Sequence, residues 1–199
     1  MFKKIILGLM ISIFSFSVAL TLEDLQQRLN HPVISADFVQ KRSLQGMKKP
    51  IISSGNFIVS TEKGLYWSQI SPFKLTMVLT KDKLLQQIEK GQPEILTAKR
   101  NPQIFQFNQL LSSLFSMNIE EMNEYFEIDL NTKTSDWTLI LHPKKEPINK
   151  IFKKIILQGH DFINSVELLD QQGDSTLIQF SHHQKSDVLS IEDSQKFNL

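Results

Sequence analysis

Between residues 55 and 80 apolar side chains alternate so densely that both sides of the strands come out greasy: Phe57 and Val59 flank Ile58, and Leu65 and Trp67 flank Tyr66. Two alternating segments, GNFIVS and GLYWSQI, are joined by STEK, and SPF leads into a third, KLTMVLT. A period of two sends successive side chains to opposite faces, so the pattern predicts an antiparallel meander with apolar contact on both faces. Ahead of it, Leu22, Leu25 and Leu29 recur at spacings of three and four. Thr21 caps that stretch and Asp24 is an imperfect capping-box partner, which predicts an amphipathic helix over residues 21–30 that lies on the sheet and ends at Asn30-His31-Pro32. Residues 34–43 read as a strand with Ala36 and Phe38 in register, and residues 44–50 as a loop.

After the meander, residues 84–89 read as a strand broken by Gly91-Gln92-Pro93, and residues 93–102 as an irregular surface loop. Ile104, Phe107, Leu111, Leu114 and Phe115 then recur at helical spacing, widened by Phe105 and Leu110, which predicts a helix buried over much of its surface. Residues 120–125 make a short helical turn, and Phe126, Ile128 and Leu130 begin the next strand. Trp137, Leu139 and Leu141 alternate in another. Residues 143–149 form a charged turn, residues 152–157 and 162–169 continue the sheet, and residues 170–174 are a hairpin turn before Thr176, Ile178 and Phe180. From His182 onward the chain reads as a loose polar tail, with Val188, Leu189 and Ile191 available for a short final strand. No internal repeat or low-complexity linker interrupts this order. The coarse answer is one mixed α+β domain, an antiparallel sheet of many strands with a few helices on one side.

Composition changes the picture at the N-terminus. Met1-Phe2-Lys3-Lys4 is basic, residues 5–18 are apolar apart from Gly8 and three serines, and Ser17-Val18-Ala19 supplies small residues before a cleavage point. The run is shorter than the roughly 20 residues that span a bilayer. Residues 1–19 are therefore expected to be a signal peptide and residues 20–199 a single soluble domain in a periplasm. The apolar run is followed by no cysteine that could carry an acyl anchor. Loss of Lys3 and Lys4 takes the 22 Lys and Arg to 20, against 21 Asp and Glu. Such neutrality gives no long-range attraction for nucleic acid or an anionic membrane. With no cysteine at all, stability has to come from apolar burial.

Candidate chemistry is sparse. The five histidines (His31, His142, His160, His182 and His183) have no metal-ligand spacing, and adjacent His182 and His183 point to opposite faces if they lie in a strand. The chain lacks a glycine-flanked serine elbow, a phosphate-cradling glycine loop and a carboxylate pair in a recognisable context, so no catalytic residue, metal or cofactor is expected. Lys144, Lys145, Lys153 and Lys154 are charge pairs beside turns, read either as a solvated face or as contacts to lipid head groups or a partner.

Several segments together resemble one family. The helix, Phe38-Val39-Gln40, the Gly55-Asn56-Phe57 strand, Gly64-Leu65-Tyr66-Trp67 and Pro72, then Trp137 to Pro143 and Gly173 to Phe180, look like the outer-membrane lipoprotein carriers of Gram-negative periplasms. The resemblance implies a strongly curved antiparallel sheet forming an incomplete barrel, closed on its concave side by helices around an apolar cavity. It implies a non-enzymatic chaperone that takes an acylated lipoprotein or lipid cargo from an inner-membrane transporter to an outer-membrane acceptor, with transient membrane contact. Acyl chains in water cost about 0.8 kcal/mol per methylene, so such a carrier must offer apolar area. Phe57, Leu65, Trp67, Leu75 and Met77 on the sheet, with Phe107, Leu111, Leu114 and Phe115 on the lid helix, are the expected lipid-binding residues. One departure stands out: the family arginine that holds the lid is missing from Ser60 to Gly64, leaving Lys63, which lacks the planar fork. The chain is in this respect more similar to a carrier-like branch associated with lipid or glycolipid export. The alternative is an envelope scaffold or sensor in which side chains fill the cavity and the surface binds a protein partner.

Overall fold

The computed structural model describes residues 20–81, 83–97, 100, 114, 117–133 and 135–198. Eleven strands form one antiparallel sheet: β1 (Val33–Ser43), β2 (Ile51–Ser60), β3 (Gly64–Ser71), β4 (Leu75–Leu79), β5 (Lys83–Ile88), β6 (Glu94–Thr97), β7 (Phe126–Lys133), β8 (Asp136–Pro143), β9 (Phe152–Gly159), β10 (Ile163–Asp170) and β11 (Ser175–Ser186). Their spatial order is β6-β5-β4-β3-β2-β1-β11-β10-β9-β8-β7. The first and last strands meet in the middle, and among the described residues β6 and β7 are the two edges. Among the described residues the helices are short: α1 (Leu22–Leu29), α2 (Ile119–Tyr125), α3 (Ile148–Ile151) and α4 (Ile191–Lys196).

The expected strongly curved sheet, an incomplete barrel closed on its concave side by helices, is corrected. Among the described residues β6 and β7 are not paired with each other, the sheet is open and not strongly curled, and the helices are small. A β6 of four residues offers too short a ladder to close against the eight of β7. The segment expected to be an irregular loop contains β6, and the charged turn runs into α3 at Ile148. The tail is corrected as well, because β11 continues to Ser186 and is followed by a docked helix instead of a final strand.

Local rules account for the elements that position the core. In α1 the Asp24 N–H donates to the Thr21 hydroxyl at 3.1 Å and the Thr21 N–H donates to the Asp24 carboxylate at 3.0 Å, a complete capping box. Those Thr21 donors, backbone first, hold the Asp24 carboxyl below the usual range. The helix buries Leu25 and Leu29 against one face of the sheet. That face carries Ala36 and Phe38 of β1, Phe57 of β2, Trp67 of β3, Trp137, Leu139 and Leu141 of β8, Ile155 and Leu157 of β9, and Phe180 of β11. Met117, Ile119 and Met122 complete it from α2 and the turn before it. The buried Trp137 indole donates to the His160 carbonyl at 2.7 Å, so its polar atom is satisfied. The other face has a smaller cluster, Val33, Ile58, Val78, Leu85 and Phe197, with Tyr66 and Leu189 packed against it. Helices therefore lie on both sides of the sheet, where the sequence suggests one.

Candidate functional site

The meander resolves into a front and a back. Antiparallel partners share a face, and the pairs Phe57↔Trp67, Trp67↔Met77, Val59↔Leu65 and Gln69↔Leu75 place these side chains on the core face. The pairs Ile58↔Tyr66 and Tyr66↔Val78 place the alternate set behind. The excess of apolar groups in residues 55–80 thus has two destinations.

At the front, Phe38 stacks on Trp67 with centroids 3.8 Å apart although a strand separates them. The reason is Gly55, the partner of Phe38 on β2, which leaves room for the ring to lean across. A Cβ at Gly55 would collide with the Ser68 carbonyl and lie 2.8 Å from the Gln69 Cα, so glycine is also what permits β2 and β3 to approach. Phe57 lies 6.0 Å from Trp67 and 5.1 Å, edge on, from Phe180. Burial falls along this wall: Phe57 is 2 % and Trp67 9 % exposed, while Leu65, Leu75 and Met77 are half-buried. Leu114 is buried in the same core. Phe107, Leu111 and Phe115 lie outside the described residues, as do residues 1–19.

Residues beyond the expected set join the front. Phe38, Val59 and Phe180 extend it, and Leu29, Ile34, Phe57, Val59, Phe162, Ile163, Phe180 and His183 line a small apolar cavity of about 20 Å³. That volume holds about one water molecule and not an acyl chain. His183 stacks on Phe162 at 4.8 Å and its Nε2 contacts the Ile163 carbonyl at 2.9 Å. His31 lies tilted to Phe162 with ring centroids 5.9 Å apart, and burial, then Lys185, pushes its pKa down against the pull of Asp187. Period-two reading of β1 and β11 marks Phe38 and Phe180, but nothing local marks Phe162 as their neighbour.

At the back, Phe197 packs with its ring 6.2 Å from Tyr66, and the Lys63 ammonium donates to the Ser194 hydroxyl at 2.6 Å. Lys63 thus meets the C-terminal helix. The remaining lysines gather at one end of β8 and β9: Lys144 and Lys145 follow β8, and Lys153 and Lys154 open β9. Lys145 is engaged by Glu124 at 2.9 Å and sits 5.7 Å from the Tyr125 ring centroid, whereas Lys144 and Lys153 are exposed.

Histidines pair singly with carboxylates, His182 with Asp37 at 2.8 Å, His160 with Asp161 at 3.1 Å and His142 with Asp129 at 3.5 Å. Among the described residues no three His, Asp or Glu groups are placed to hold a metal ion, and no helix is long and apolar enough to cross a membrane.

A family model described as outer membrane lipoprotein carrier protein LolA-like matches residues 15–195. Similar solved structures include a LolA superfamily protein of Nitrosomonas europaea (8% identity, 86% of this chain and 96% of that one, TM-score 0.47). A putative outer membrane lipoprotein-sorting protein domain of Vibrio parahaemolyticus follows at 12% identity, 89% and 95% coverage and TM-score 0.46. A DUF1329 family protein of Desulfovibrio piger has 10% identity, 85% and 92% coverage and TM-score 0.46. No curated protein matches the chain. The structural likenesses are loose, and family membership rests on the sequence match.

Proposed function

The chain belongs to the outer membrane lipoprotein carrier protein LolA-like family, and from that premise we propose that it ferries a lipoprotein or another acylated lipid across a periplasm. The family is non-enzymatic, so the work is binding and release. In this reading residues 1–19 are removed on export, an inner-membrane transporter loads the protein and an outer-membrane acceptor unloads it.

The observation that supports cargo binding is the graded apolar wall. Phe57 and Trp67 are packed, while Leu65, Leu75 and Met77 on the same face retain exposed area next to them. An acyl chain lying along β3 and β4 would cover that area, and at about 0.8 kcal/mol per methylene even a partial insertion offsets much of its cost in water. The unbranched thioether of Met77 is suited to reshaping around an entering chain. Phe107, Leu111, Leu114 and Phe115 are proposed as the opposing apolar surface. Lys63, Lys144, Lys145, Lys153 and Lys154 are proposed as head-group or partner contacts, with Lys63 and Lys145 the least available because of Ser194 and Glu124.

The packing of Phe38, Phe57, Trp67 and Phe180 in the described core favours a second reading, a scaffold or sensor domain that binds through its surface. One experiment separates the two. The protein is purified from its envelope fraction and examined by native mass spectrometry, and an environment-sensitive fluorescent fatty acid is titrated into wild type and Met77→Glu. A carrier retains lipid and loses probe affinity on substitution. Absence of lipid together with equal probe signals in both proteins overturns the carrier reading in favour of the scaffold.

A further inference from the structure

The two edges of the sheet are not equivalent. β6 has four residues and enters behind Pro93, so it presents few ladder groups. β7 has eight, contains neither proline nor glycine, and pairs with β8 without a register break from Phe126↔Pro143 to Lys133↔Asp136. Short length, proline, a bulge and an inward-facing charge each blunt an edge and are missing from β7, which carries instead the exposed charges of Glu127, Asp129 and Lys133. Among the described residues no strand pairs with its outer side. Among the described residues its outward N–H and C=O groups therefore have no strand partner, and each calls for water or another chain.

The side chains of β7 sort by face. Ile128 and Leu130 share the core side and are half-buried, whereas Glu127 and Asp129 are exposed on the opposite side. The preceding α2 adds Glu120 and Glu124, the latter already paired with Lys145, and residues 101–132 contain no Lys or Arg. His142 beside Asp129, at 3.5 Å, is the titratable neighbour across β8.

We propose that the outer edge of β7 is a docking edge that receives, by strand addition, an extended segment of a protein partner whose side chains alternate apolar and basic. Main-chain hydrogen bonds supply the attraction of such an addition and alternate side chains supply selectivity. The partner's apolar residues extend the core face beside Ile128 and Leu130, and its basic residues lie across from Glu127 and Asp129. A second copy of this chain complements the edge less fully. Pairing two β7 strands about Ile128 sets Glu127 of one against Asp129 of the other, like charges directly opposite, and pairing about Leu130 sets Glu127 against Lys133 but leaves Asp129 opposite Asn131, whereas a partner with basic residues at both positions meets both acids. The proposal does not depend on what cargo, if any, the wall binds.

The test uses the whole protein and a fluorescein-labelled octapeptide of alternating lysine and valine. Binding is read by anisotropy, and the site by hydrogen exchange of the β7 amides. The expected result is protection confined to β7, with affinity lowered about tenfold in Glu127→Lys/Asp129→Lys as attraction turns to repulsion. The same peptide N-methylated at alternate residues along one edge is expected to bind no better than a scrambled peptide of equal charge. Because this control leaves the protein unaltered, a misfolded double variant cannot mimic success. Equal binding of the N-methylated or scrambled peptide, or unprotected β7 amides, overturns the proposal. A wild-type dimer in sedimentation with β7 protected assigns the edge to a second copy and overturns it too.

Discussion

Lys63 donates a 2.6 Å hydrogen bond to Ser194 across 131 residues of sequence, joining the β2–β3 turn to the C-terminal helix. Beside it Phe197 closes a small apolar cluster over Ile58, Val78 and Leu85. The strands whose front is the proposed lipid wall are therefore clamped from behind by the chain's own tail.

Removing the clamp should release the tail. Phe197→Ala is expected to cost about 2–3 kcal/mol, somewhat under a core phenylalanine because the cluster is small, and Lys63→Met about 1 kcal/mol. Hydrogen exchange of residues 188–198 should rise in both, more in Phe197→Ala. Wild-type exchange there in Phe197→Ala would show that the helix is held by something else.

Gly55 and Gly46 should respond differently to a methyl group. Alanine at 55 meets the backbone of Ser68 and Gln69, which no side-chain rotation can relieve, so a loss above about 2 kcal/mol is expected. Alanine at 46 meets nothing within 4 Å and is opposed only by a positive φ of 85°, for a loss of about 1 kcal/mol. Urea midpoints compare the two, and equal losses would remove the close approach of β2 and β3 as the explanation.

The half-buried end of the wall should matter for cargo and little for folding. Leu75→Glu is expected to weaken a fluorescent fatty-acid probe by about tenfold or more, with thermal stability nearly unchanged because its carboxylate can reach water. Phe57→Ala should lower both, by about 3 kcal/mol in stability. A Leu75→Glu protein with unaltered probe affinity would move the cargo elsewhere.

The α4 clamp should loosen at both extremes of pH. The Lys196 hydrogen bond, opposed by burial and aided by Ser190, holds the Asp193 carboxyl below its ordinary range, and Asp193 in turn raises Lys196. A depressed carboxyl contributes fully above its unfolded pKa of about 4 and loses that contribution as pH falls through its lower folded value. A raised ammonium contributes fully below about 10.4 and loses it as pH rises through its higher folded value. Amide resonances of Ser194 and Phe197 should therefore shift on acidification below about pH 4, and Asp193→Asn should flatten that limb. An unchanged acid limb in Asp193→Asn would assign it to another group.

Much of the local structure is legible in residue order. The Leu22-Leu25-Leu29 spacing with Thr21 and Asp24 identifies α1 to within a residue, and the alternations in β2, β3, β8 and β11 mark the correct side chains as inward. β6 and α3 escape because four residues carry too little period to be read. α4 has a start signal, with Ser190 accepting from the Asp193 N–H at 3.0 Å, but its single buried anchor, Phe197, stands in a polar stretch that has no apolar stripe.

The sequence by itself determined the period of the longer strands and the presence of apolar groups on both faces of residues 55–80, since each depends on neighbours along the chain. Only the tertiary structure decided that β1 and β11 pair at the centre of an open sheet, that Phe38 reaches Trp67 across Gly55, and that the back of the meander is closed by Phe197. Those outcomes join residues as far apart as Val33 and Ser186, 153 positions in the chain, whose pairing is selected by the competition of whole strands for partners, and no local spacing encodes it.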